Sequence, residues 1–269
     1  MLYVTYAVNF VLMIGLPVTL WLFLWRRWGS AGFAWRLIVA GALTFIASQL
    51  VRLPLLAGLT ALFQTGALPS IPEGYSNAFN IVTLSLTAGL FEEGARYLGY
   101  RFAVKGARTW ENAVTFGAGH GGIEAIILGA LVALTFVNMV VLQSVDVAAL
   151  PIPADQQAAT AKAVADYWSQ PPYLTVLGAV ERVFALCLHI ALSVIVLQSV
   201  VRRNLAWLIA AMGWHGLANL IGVGVFQRGG PLASEAALAV VAALSLWVLF
   251  RMRPSRVESA PTGGTDARS

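Results

Sequence analysis

Seven apolar stretches, at 4–25, 35–59, 78–101, 111–142, 174–201, 205–226 and 232–250, constrain this chain more than any other feature. Each holds about 20 residues, the length at which an α-helix crosses a hydrocarbon core of about 30 Å. They are continuously apolar rather than alternating in short runs, so helices are expected and a β-barrel is not. The expected fold is all-α, a polytopic transmembrane helix bundle of about seven spans. Composition closes the soluble alternative: 59% of the residues are hydrophobic and 11% charged, where soluble domains carry about 25% charged residues.

The net charge of +5 does not point to nucleic acid, because the basic residues sit in short clusters at the ends of apolar stretches. Arg26 and Arg27 follow the first span, Arg101, Lys105 and Arg108 lie between the third and fourth, Arg202 and Arg203 between the fifth and sixth, and Arg251, Arg253 and Arg256 follow the seventh. The alternate connections hold mainly Lys162 and Arg228. This asymmetry predicts the N-terminus outside and the C-terminus in the cytoplasm, consistent with an odd number of spans. The localisation expected is a multi-pass protein of a bacterial or archaeal cytoplasmic membrane, with the lipid bilayer as its first partner.

No basic residue precedes the first span, which is too long for a signal-peptide core and is read as a retained helix. Residues 1–253 are expected to form one transmembrane domain, with the chemistry in helices at about 78–226, and 254–269 a disordered cytoplasmic tail. In the connection at 143–172, prolines bracket an alanine-rich stretch, Ala154–Trp168, read as a short surface helix that could lid the bundle. The lone Cys187 permits no intrachain disulfide and is read as packing.

Ionisable residues inside a span cost about 2.5–3.5 kcal/mol each on insertion scales, so each is a functional candidate. Span three carries Glu92, Glu93 and Arg96, span four His120 and Glu124, span five Glu181, Arg182 and His189, and span six His215 and Asn219. At about 1.5 Å per residue from the basic ends, Glu92 lies about 13 Å deep, His120 and His215 about 15 Å, and His189 about 18 Å. Four helices running in both directions thus bring polar groups to one level, as a shared chamber requires. Residues four apart share a helix face, pairing His120 with Glu124, His215 with Asn219, and Glu92 with Arg96. Glu181 and Arg182, nearer the outer surface, read as a local pair or as snorkelling side chains, and Arg52 as structural. His189 has no ionisable partner four residues away and is held as an additional candidate only.

A glutamate beside histidines in a wet intramembrane cavity can activate water, and a histidine with an asparagine can hold the oxyanion that forms at an amide. No serine or cysteine lies at this depth beside an obvious base, which disfavours an acyl-enzyme. Zinc on Glu92, His120 and His215 is an open alternative, but the H-E-x-x-H helix is absent and the ligands must come from three helices. Metal-free glutamate catalysis therefore ranks ahead, with either no cofactor or zinc. A buried structural ion pair would explain Glu93 with Arg96 but not the second carboxylate.

The order Glu-Glu-x-x-Arg at 92–96, His-x-x-x-Glu at 120–124 and His-x-x-x-Asn at 215–219, each on its own span, resembles the clan of intramembrane endopeptidases that includes the type II CAAX prenyl proteases, bacteriocin-processing proteins and PrsW. The His-Gly-Gly-Ile-Glu form at 120–124 looks most like the YhfC group. The resemblance covers about 83–222. It implies that Glu92 is the water-activating base with Glu93 and Arg96 supporting it, that His120, His215 and Asn219 bind or polarise the scissile carbonyl, and that Glu124 stands behind them. It implies an intramembrane endopeptidase acting on a membrane protein or lipidated peptide. The second motif departs from the Phe-x-x-x-His of the CAAX proteases and matches PrsW, so a prenylated substrate is not implied. The clan also holds the non-proteolytic scaffold subunit of gamma-secretase, leaving a non-catalytic scaffold as an alternative. A proton-coupled transporter would use the same buried groups, yet no internal repeat is visible.

Overall fold

The computed structural model describes residues 1–28 and 33–254. They form α1 (Leu2–Trp28), α2 (Phe33–Gln64), α3 (Ser76–Leu98), α4 (Trp110–Gln143), α5 (Ala154–Trp168), α6 (Leu177–Val201) and α7 (Ala206–Arg251), with no strand among them. The expected tail beyond Pro254 lies outside the described residues.

Five helices, α1, α2, α4, α6 and α7, are long and apolar enough to cross a membrane. The seven expected spans reconcile with these five in two ways. First, α3 is 23 residues long, enough to cross, but Glu92, Glu93 and Arg96 lower its apolarity. Second, α7 has 46 residues and would be about 69 Å long if straight. It breaks at Gly230, whose φ of 75° and ψ of −174° no helix contains and which glycine adopts without a Cβ clash. Pro231 follows and supplies no N–H to bridge the break. The two limbs fold back on each other: Ser234 Oγ donates to the Gly222 carbonyl at 2.9 Å and Trp214 Nε1 to Ser245 Oγ at 3.0 Å, an antiparallel register. They correspond to the expected spans six and seven.

The basic ends gather on one side of the bundle. Trp28 at the end of α1 packs edge-on against Trp110 at the start of α4, with centroids 6.2 Å apart, and Trp110 Nε1 donates to the Leu249 carbonyl of α7 at 2.9 Å. At the opposite end, α5 docks by its last residues, Tyr167 stacking on Tyr6 at 4.3 Å and Trp168 lying 4.5 Å from Tyr3. α5 has the bounds expected of it, but no α5 residue is buried and none lines the polar cavity described below. It is therefore a brace across α1 and α4 rather than a lid.

α4 is the central helix. Its glycines lie against three neighbours: a Cβ on Gly119 would collide with the Ile38 carbonyl oxygen of α2, one on Gly121 would stand 2.8 Å from the His189 Cβ of α6, and one on Gly122 would stand 2.6 Å from Trp21 Nε1 of α1. The glycines around His120 are thus used for close helix approach. Gly119→Ala sets a methyl against backbone that no rotamer change can move, and should cost about 1–3 kcal/mol. Gly213→Ala, with nothing within 4 Å of its Cβ, should be neutral or stabilising. Thermal unfolding of the two variants in detergent checks the contrast; equal melting would refute it.

Candidate catalytic and metal site

The close approach at α4 buries His120 completely, and α3 brings Glu92, Glu93 and Arg96 to the same place, with Glu93 and Arg96 also at 0% exposure. His189 of α6 and His215 of the first α7 limb complete a row. The ring centroids of His120 and His189 are 5.5 Å apart and those of His189 and His215 5.3 Å. The shared depth read from the sequence is therefore a single cluster, and His189, held there as an additional candidate, is its middle member.

Hydrogen bonds place the ring protons. The Thr44 hydroxyl donates to the Gly41 carbonyl at 2.7 Å, so its oxygen accepts from His120 Nδ1 at 3.0 Å. His120 Nε2 is then a lone pair, 3.2 Å from Glu92 Oε2. Two acceptors facing each other at that distance need a proton or a cation between them. Gln49 Nε2 donates to Glu92 Oε1 at 3.2 Å, and Arg52 Nη1 donates to Gln49 Oε1 at 3.2 Å. His215 Nδ1 donates to Glu93 Oε1 at 2.7 Å, leaving its Nε2 for the cavity it lines. Arg96 holds Glu93 Oε1 through Nη1 and donates from Nη2 to His189 Nδ1 at 2.5 Å. His189 Nε2 therefore carries the ring proton and meets Glu124 Oε2 at 2.5 Å, and Glu124 Oε1 accepts from Arg182 at 2.9 Å. One circuit thus runs from Arg182 through Glu124, His189, Arg96 and Glu93 to His215. Within it, Glu93 Oε2, Arg96 Nε and Glu124 Oε2 are buried without a hydrogen bond, the last meeting His189 Nε2 as an ion-pair contact alone.

Beside this circuit lies a cavity of about 210 Å³, whose polar lining is Arg52, Glu92, Glu124, Glu181, Arg182, His189, His215 and Asn219. Asn219 lies on its wall beside His215, as the four-residue spacing requires. A second space of about 330 Å³ adjoins it and shares Arg52, Glu181, Ala218, Asn219 and Leu238. Arg52 and Arg182, read from the sequence as structural or peripheral, belong to the cavity wall. Thr44 and Gln49 were missed altogether. Their signal was positional: residues 41, 44, 45, 48, 49 and 52 recur at three and four along one face of α2.

The donor set fits a metal ion. Glu92, His120 and His189 offer ligand atoms all within 4.8 Å of one another, the carboxylate and imidazole chemistry of catalytic zinc sites. The set expected from sequence had His215 in place of His189. Distance favours His189, whereas proton placement favours His215, whose Nδ1 already rests on a carboxylate in the manner of ligating histidines. The proton is the stricter condition, because a nitrogen bearing one offers no lone pair at any distance.

No solved structure matches the chain. It is 34% identical over 172 residues to the uncharacterized membrane protein YhfC of Bacillus subtilis (strain 168), a match that covers 62% of this chain and 66%, just under two thirds, of that protein. Residues 12–242 match the family described as YhfC intramembrane metalloprotease. With a polytopic bundle in the bilayer and a buried carboxylate and histidine cluster that can hold a metal, the chain belongs to the YhfC intramembrane metalloprotease family.

Proposed function

We propose that the protein hydrolyses a peptide bond of a membrane-embedded or membrane-anchored protein, inside the bilayer and nearer the basic, cytoplasmic end of the bundle. The observation that carries this reading is the lone pair of His120 Nε2 set 3.2 Å from Glu92 Oε2 at the edge of a polar intramembrane cavity. Glu92, His120 and His215 would hold the ion. When bound, it would polarise the scissile carbonyl and make an attacking water acidic at neutral pH.

Of the carboxylates lining the cavity, Glu124 and Glu181 are paired with Arg182, and Glu93 behind it with Arg96, whereas Glu92 has only Gln49 and His120. Glu92 is thus the carboxylate left to take the proton of the water. Its Oε2 is turned to the ion beside His120 Nε2, so the proton is received at Oε1, which Gln49 holds in place through one N–H. His215, its ring held by Glu93, presents Nε2 to the ion, and the Asn219 amide on the same cavity wall orients the substrate carbonyl. Apolar walls from Ala88, Leu188 and Val241 keep bulk water away from the reacting bond. The family's description favours this metal-dependent form over the metal-free glutamate mechanism ranked first on sequence grounds.

Elemental analysis of the purified protein tests the ligand set. The parent should carry about one transition-metal ion per chain, His120→Ala and His215→Ala should lose it, and His189→Ala should retain most of it. Loss from His189→Ala with retention in His215→Ala would reverse the assignment of the third ligand. Absence of metal from a parent protein that still cleaves a membrane-anchored reporter would restore the metal-free mechanism.

A further inference from the structure

At the basic end of the bundle, outside the proposed catalytic cavity, Arg101, Arg108 and Arg203 surround a space of about 630 Å³, together with Tyr97, Val200 and Leu205. Arg101 lies nine residues past Glu92 along the chain, about 13 Å nearer the membrane surface. Among the described residues none of the three arginines forms an ion pair. Arg101 makes one side-chain hydrogen bond, to the Tyr97 hydroxyl at 3.1 Å. Arg108 is fastened to the carbonyls of Tyr100, Val104 and Ala107, and Arg203 makes none. A guanidinium has five N–H donors, so most of the donors around this space are unused.

Two backbone features aim these side chains. Arg101 sits in a π-helical turn, Gly99–Ala103, that widens the end of α3; such turns recur at functional sites. Arg203 has φ of +52°, the left-handed position that closes α6, where Asn204 N–H reaches back to the Ser199 carbonyl at 3.1 Å. Glycine is the ordinary residue at that position of a helix terminus. An arginine there is strained by its Cβ, and its side chain is the one thing glycine could not supply.

We propose that this cavity is a binding site for a phosphate ester anion, supplied by the headgroup of an anionic phospholipid in the adjoining leaflet. Three unpaired arginines at the level of the helix ends match a lipid phosphate, and Arg provides the forked donors that phosphate accepts. Val200 and Leu205 make part of the wall apolar, which suits a glycerol backbone and the start of acyl chains better than a wholly soluble phosphate. The site lies at the ends of α3 and α6 and the start of α7, the three helices that carry Glu92, His189 and His215, so its occupancy would tie the helices that form the catalytic cavity.

The test uses the full chain in nanodiscs of three parts phosphatidylcholine to one part phosphatidylglycerol, with lipid retention read by native mass spectrometry and Tm measured in parallel. Phosphatidylglycerol should be retained in preference to phosphatidylcholine. Arg203→Gly should weaken its retention about five-fold, the contribution of one arginine near an anionic headgroup. The same variant in pure phosphatidylcholine should melt at the same or a higher temperature, because glycine relieves the left-handed strain; this separates ligand loss from misfolding. Adding Arg101→Gln and Arg108→Gln should abolish the preference. Inorganic phosphate titrated into phosphatidylcholine nanodiscs separates the sources: a saturable Tm rise lost in Arg203→Gly would keep the phosphate site but overturn the lipid as its ligand. No response to either anion, or a response unchanged in Arg203→Gly, would overturn the site itself. A raised KM for a membrane-anchored substrate in Arg203→Gly, with lipid retention unchanged, would overturn it in favour of a substrate contact.

Discussion

Glu92→Gln should slow cleavage of a membrane-anchored substrate by about 10²- to 10⁴-fold, the range that a positioned base contributes, while the folded protein remains in the membrane. The amide keeps the size of the carboxylate and can still meet Gln49, so the packing of α3 against α2 should survive. What is lost is a group able to take a proton at Oε1 and to share a cation through Oε2 with His120 Nε2. Single-turnover cleavage in proteoliposomes, with Tm as the control for folding, reads the effect. Activity within a few-fold of the parent would remove Glu92 from the centre of the chemistry and leave Glu124 as the next carboxylate on the cavity wall.

The largest effect on folding should come from Arg96→Met. Arg96 is completely buried and bridges Glu93 to His189. Removing its charge leaves the Glu93 carboxylate in the interior with only His215 to offset it. Breaking a buried pair from one side costs about 3–5 kcal/mol, a fall in Tm of about 10 °C for a chain of this size. The double variant Glu93→Gln with Arg96→Met removes both charges and should recover part of that loss. Such non-additivity is the signature of direct coupling. Strict additivity of the two single effects would show that Arg96 acts through packing alone.

The polar residues in the apolar stretches, and the helix faces they share, disclosed the fold and the depth of the site. The interruption of apolar sequence between 226 and 232 separated the last two spans, although its form, a helix broken at Gly230 and folded back, depends on the limbs bonding to each other. The site was less legible where its bonds cross between helices. His189 and Arg182 lack an ionisable partner four residues away, so spacing along one helix undervalued them. Their partners are Arg96, 93 residues distant in sequence, and Glu124, 58 residues distant. Thr44 and Gln49 are uncharged and ordinary within an apolar helix, and only the rings and carboxylates brought against them show that they fix a proton and an oxygen.

The glycines of α4 carry a consequence for redesign. His120 is held by backbone lying directly against the backbone and side chains of α1, α2 and α6, so its position has almost no slack for a neighbouring substitution to take up. The cavity wall is different: Phe184, Ala218 and Leu238 contribute side chains to it without setting where the chemistry-bearing atoms sit. A library meant to change which peptides are accepted should vary those three positions and leave residues 117–122 untouched.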